Sequence, residues 1–177
     1  MNILLLYTSN TGFTRTYAEW IGEELGIEAI PFKNCTPARM AQADLMVYGG
    51  SVNGGILTGQ AKAERMAKKA GDKPVIWFAT GLRPATDRTL DILRKNNFGS
   101  GSDSPLFYFP GGLDKEKLQP GDRTILRVYR AMLRRRRDLH PEDEEMIQRL
   151  ITPADYSDRN AIAPLVALVR SLRDRAA

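Results

Sequence analysis

Five short apolar runs dominate the first two thirds of the chain. They are "NILLLY" (Asn2 to Tyr7), "IEAIPF" (Ile27 to Phe32), "DLMVYGG" (Asp44 to Gly50), "PVIWFAT" (Pro74 to Thr80) and "PLFYFPGG" (Pro105 to Gly112). Runs this short, apolar at odd and even positions alike and bounded by polar residues, read as strands buried on both faces. Helical patterns separate them. Tyr17, Ile21 and Leu25 fall on one face after the first run, further patterns cover Leu57 to Ala70 and Pro84 to Asn96, and "NAIAPLVALVRSLRDRAA" closes the chain. Pro84 suits a first-turn position. Strands alternating with helices build a parallel sheet with helices on both faces, an α/β architecture.

A chain of 177 residues with 42% hydrophobic content can bury one full core, so a single domain spanning 1–177 is expected. The one irregularity is 113–153, a long, highly charged segment with its own helical pattern, expected as an insert between the fifth strand and the last helix. The lone Cys35 has no partner for an internal disulfide and reads as a small apolar filler. No charged-then-apolar leader precedes the first strand and no apolar run has the length of a membrane span, so a cytoplasmic chain is expected. A net charge of +5 favours anionic partners without identifying them.

Ligands of open parallel sheets bind beyond the carboxyl ends of the strands, where strand order reverses. Three segments of this chain end there: "TSNTGFT", "GGSVNGGILTG" and "TGLRPATD". Their Gly, Ser, Thr and Asn residues let a ligand approach the backbone and supply hydrogen bonds without bulk, although strand-to-helix loops also need such residues as turns and caps. Known phosphate motifs are absent. No loop ends in the Gly-Lys-Ser/Thr of a P-loop, and no G-x-G-x-x-G follows the first strand. A magnesium-dependent receiver would need carboxylates where this chain has "YTSN" and "YGGS". Cys35 precedes Arg39, but no phosphate loop of the cysteine-phosphatase form surrounds them. What remains is a phosphate monoester held by neutral donors at the start of the first helix.

"YTSNTGFT" (Tyr7 to Thr14) resembles the flavodoxin phosphate loop: an aromatic, any residue, Ser, any residue, Thr-Gly, any residue, Thr. The resemblance implies a flavodoxin-like three-layer fold with strand order 2-1-3-4-5 and FMN as cofactor. It assigns Ser9, Asn10, Thr11, Gly12, Phe13 and Thr14 to the phosphate. Ser51, Val52, Asn53 and Gly54 would lie along one side of the isoalloxazine ring, and Thr80, Gly81, Leu82 and Arg83 along the other. "YGGSVNGG", "FPGGLDKEKL" and the basic helical insert are similar to the flavodoxin-domain branch that includes menaquinone-dependent protoporphyrinogen dehydrogenase.

Two departures from well-known flavodoxins stand out. Neither ring loop contains an aromatic, since Trp77, Tyr48 and Phe78 lie within strands and read as core. Flavodoxins are acidic around the flavin edge, whereas Arg83 beside the ring would stabilise an anionic reduced flavin. Gly54 and Gly55 would let a peptide reorient near the ring. An FMN-dependent oxidoreductase acting on a quinone or other small acceptor, a one-electron shuttle between redox proteins, and a cofactor-free interaction domain all fit these residues. No catalytic residue and no metal ligand is assigned. Asp87 suits a helix first turn, and His140, the only histidine, reads as solvated surface.

Within the insert, Arg123, Arg127, Arg130, Arg134 and Arg137 form one stripe at 100° per residue beside an apolar face of Ile125, Leu126, Tyr129, Met132 and Leu133. One expectation is a basic amphipathic helix that docks on an anionic membrane or an acidic partner. The other is a helix capping the sheet edge, with its arginines solvated or paired with the following "PEDEEM" acids. Nucleic acid is disfavoured, because aromatics are not interleaved in the stripe.

Overall fold

A computed structural model describes residues 1–99, 103–113, 131, 140–152 and 154–176. The five expected strands are present as β1 (Ile3–Thr8), β2 (Ala29–Pro31), β3 (Leu45–Asn53), β5 (Val75–Gly81) and β6 (Leu106–Pro110), joined by a two-residue strand β4 (Ile56–Leu57). The parallel sheet runs β2-β1-β3-β5-β6, with β4 pairing antiparallel to β3 off its edge path. This is the expected 2-1-3-4-5 order once β4 is set aside, and the fold is α/β and flavodoxin-like.

Period-two alternation sorts the strand residues into two cores. Leu4, Leu6, Met46, Tyr48, Trp77, Ala79, Leu106 and Tyr108 face one layer, which is closed by α2 (Pro37–Gln42), α3 (Gln60–Lys69) and α4 (Asp87–Asn97). Leu5, Tyr7, Val47, Ile76, Phe78 and Phe109 face the other, under α1 (Phe13–Leu25) and the C-terminal helix α6 (Ala163–Arg175). Since both faces are covered, both alternations must be apolar, which is why the runs carry no amphipathic pattern. Trp77, Tyr48 and Phe78 are core as expected, at 2%, 0% and 0% exposure.

Two expected boundaries move. The helix expected from Leu57 begins at Gln60, because β3 continues to Asn53, turns through Gly54 and Gly55, and returns as β4. Both glycines have positive φ, 58° and 85°, which suits the tight turn of a two-residue hairpin. The helix expected from Pro84 begins instead at Asp87. Thr86 caps it by accepting a hydrogen bond from the Thr89 N–H, and Pro84 is buried in the preceding loop. In the insert, α5 (Pro141–Ile151) is described, with His140 as its exposed N-cap. The arginine stripe Arg123, Arg127, Arg130, Arg134 and Arg137 lies outside the described residues.

Candidate functional site

Strand register brings the candidate residues to one rim. Thr8 lies opposite Gly50, Ser51 opposite Thr80, and Gly81 opposite Pro110, so the carboxyl ends of β1, β3, β5 and β6 stand side by side. Gly12 begins α1 with φ 104° and provides no side-chain cap, and the first turn contains no acid. Ser9 Oγ accepts the Gly12 N–H at 3.1 Å, which folds the loop back on itself. Ser9, Thr11 and Phe13 are half-buried and Asn10 is exposed. The helix therefore starts with the positive end of its dipole open at the rim.

Thr14 and Thr80 join the first and third loops. Their hydroxyls lie 2.6 Å apart at 1% and 3% exposure. Two hydroxyls sharing one bond use one proton, and the other remains for an acceptor beyond the pair. Similar accounting orients Tyr48. Its single phenolic proton goes to the Thr58 carbonyl at 3.0 Å, so in the 2.8 Å contact with Thr8 the threonine is the donor. Burial pushes the Tyr48 and Tyr108 phenols up, which keeps both as neutral donors.

The segment after β3 is a clasped hairpin. Ser51 Oγ and Asn53 Nδ2 converge on Thr58 Oγ1 at 3.3 and 3.4 Å. Asn97 of α4 donates to the Gly55 carbonyl at 2.9 Å and accepts the Leu57 N–H at 2.7 Å. The expected mobility of the Gly54–Gly55 segment is thereby narrowed. The Gly55 carbonyl is held, so any reorientation falls to the peptides on either side of Gly54. Val52 is half-buried beside Gly81, and Gly54 is exposed.

Arg83 differs most from its expected setting. Its guanidinium is bound to Asp143 of α5 at 2.5 Å, with a further contact from Nη1 to Met146 Sδ at 3.5 Å. Arg88 also binds Asp143, at 3.2 Å, and reaches Glu142 at 3.3 Å. The acids of "PEDEEM" at 142 and 143 thus serve arginines of the loop after β5 and of α4, far away in sequence. Burial raises the Asp143 carboxyl, but hydrogen bonds and charge from Arg88 and Arg83 outweigh it and hold the group below its ordinary value. Arg83 brings a matched ion pair to the rim rather than a free positive charge. Its Nε–H is buried with no acceptor among the described residues.

A fourth segment, missed by the sequence reading, closes the rim. The Phe13 ring packs on Gly112, where an added Cβ would collide with it, and the base of the Phe13 side chain lies close against Gly111. Gly112 bridges Asp155, and Tyr17 donates to the Pro110 carbonyl at 2.6 Å while accepting the Asp158 N–H at 2.9 Å. Only the paired glycines of "FPGG" hint at this close approach. Asn97, Thr58 and Asp143 carry no comparable signal. Among the described residues no group of acids, histidine or cysteine is arranged to hold a metal ion.

The flavodoxin domain family model matches residues 4–140. The chain belongs to the flavodoxin domain family. A search of curated proteins finds no match. Among solved structures, this flavodoxin-domain chain is similar to a flavodoxin from the domain Archaea, with 15% identity, 72% of this chain and 96% of that one covered, and a TM-score of 0.44. It is also similar to the Trp repressor binding protein from Bacillus subtilis, with 16% identity, coverage of 89% and 100%, and a TM-score of 0.45. A third is the two-electron reduced flavodoxin of Megasphaera elsdenii, with 15% identity, coverage of 84% and 97%, and a TM-score of 0.43. No helix among the described residues is long and apolar enough to cross a membrane.

Proposed function

We propose that this flavodoxin-domain chain binds FMN at the carboxyl rim of its sheet and acts as an oxidoreductase, passing electrons or hydride to a quinone or another small acceptor. The observation that carries the reading is the open start of α1, with no capping side chain and no acid in its first turn. A phosphate dianion there gains N–H donors and up to about 2 kcal/mol from the helix end in a partly buried setting. Ser9, Asn10, Thr11, Gly12, Phe13 and Thr14 would hold the phosphate, assisted by the unspent proton of the Thr14–Thr80 pair. Ser51, Val52, Asn53 and Gly54 on one side and Thr80, Gly81, Leu82 and Arg83 on the other would bracket the ring. The orphaned Arg83 Nε–H is a donor suited to the ring's carbonyl edge.

Bound there, FMN would supply the reversible redox chemistry, leaving the protein to hold the ring and tune its surroundings. Lacking aromatics, the ring loops would rely on hydrogen bonds and on loop rigidity. The likeness to the menaquinone-dependent branch supports a quinone as acceptor. The arginine stripe at 123–137 would supply a reversible hold on an anionic membrane or an acidic partner.

Titration of the cofactor-free protein with FMN and with riboflavin tests the reading. FMN should bind tightly, riboflavin at least about a hundredfold more weakly because it lacks the phosphate. Equal binding of both, or of neither, overturns it.

A further inference from the structure

Helix α5 of the insert is anchored on the loop that follows β5. Asp143, 4% exposed, takes the outer end of Arg83, and Arg149 donates to the Leu82 and Arg83 carbonyls at 3.3 and 3.5 Å. Arg149 is itself fixed, by Glu145 at 2.5 Å and by the Tyr156 ring 4.3 Å from its guanidinium carbon. The core residue Tyr108 donates to the same Arg83 carbonyl at 2.9 Å. No cis peptide occurs in the described chain. In a planar trans peptide the N–H points opposite the preceding C=O. With the Leu82 carbonyl turned to Arg149, the Arg83 backbone N–H is turned away from α5. Pro84 follows, so the next peptide offers no donor at all. With Nη1 and Nη2 each engaged once, by Met146 and Asp143, Nε–H is the side-chain donor that is buried without an acceptor among the described residues.

We propose that Asp143 and Arg149 are positioning residues of the flavin site. By drawing the loop's carbonyls and the outer end of Arg83 toward α5, they leave the Arg83 backbone N–H and Nε–H as the donors presented to the oxygen-bearing edge of the ring. The insert is then a strut of the site, taking the place of the aromatic stacking that the loops lack. This rests on the FMN reading above, but its mechanical part can be measured without any flavin. A residue of a neighbouring helix that fixes a binding loop's geometry acts on affinity without touching the ligand.

The test uses the full chain, as Asp143→Asn and Arg149→Lys. Asp143→Asn keeps the shape of the carboxylate, and Arg149→Lys keeps the charge but loses the two-carbonyl fork. In cofactor-free protein, backbone amide order parameters at Leu82 and Arg83 should fall in both variants, while those in β1 and β3 stay at the parent's values. FMN titration should then show affinity weakened on the order of tenfold. Unchanged order parameters at Leu82 and Arg83 overturn the strut. Lowered order parameters with parental FMN affinity overturn its role in the flavin site. A parent that binds no FMN overturns the flavin reading itself, and the order parameters still decide whether the strut exists.

Discussion

At the scale of single residues, the Thr14–Thr80 pair concentrates the site's polar cost in one buried contact. Thr14→Val or Thr80→Val strands the surviving hydroxyl and should lower stability by about 1–3 kcal/mol, whereas the double valine variant should cost less than the sum, since no polar group is then left unpaired. Chemical denaturation of the three variants measures this, and additive losses would show that the hydroxyls are not coupled. FMN binding should fall in the double variant, where no hydroxyl proton is left for the phosphate. These two threonines were legible as phosphate-loop and strand-end residues. Their mutual bond was not, because nothing local sets which hydroxyl of one strand end meets which of another.

At the scale of elements, two attachments hold the rim, and each has its own signature. Asn97 joins α4 to the β3–β4 hairpin with bonds to both Gly55 and Leu57. Asn97→Ala should cost about 2 kcal/mol and leave the Leu57 N–H without its partner, so that this amide exchanges faster than its neighbours. The attachment of α5 is ionic and therefore responds to acid. Asp143 titrates below its ordinary value of 3.8 in the folded chain, so its stabilisation is complete above that value and is lost as pH falls through the lower native one. Breaking the pair at neutral pH by Asp143→Asn should cost up to about 3 kcal/mol, moderated by the partial exposure of Arg88. In urea titrations the difference between parent and variant should hold steady above the ordinary value of 3.8 and shrink as pH falls below it; a difference that persists on further acidification would mean the carboxylate does not contribute as charge.

At the scale of the whole molecule, the net charge of +5 and the arginine stripe give the proposed membrane contact a test against the alternative of a helix that caps the sheet edge. The parent should co-sediment with anionic vesicles at low salt and release as salt rises, each arginine near the surface adding about 1 kcal/mol. Arg127→Glu with Arg130→Glu and Arg134→Glu should abolish this, and equal, negligible binding of both proteins would remove the membrane contact. The strands, their burial on both faces and the open polar loop before α1 were legible in the sequence. These follow from composition within a few residues: an apolar run at odd and even positions has to be covered twice, and a Thr-Gly turn before an amphipathic stretch leaves a helix start open. Three features come from packing alone: β3 turns back as a hairpin held by Asn97, Phe13 seats on Gly112, and Arg83 is matched by Asp143 sixty residues on. Those contacts join elements distant in the chain. Their partners are set by how the sheet stacks its helices and by where the insert lands, and polar side chains carry no periodic pattern from which such pairing follows.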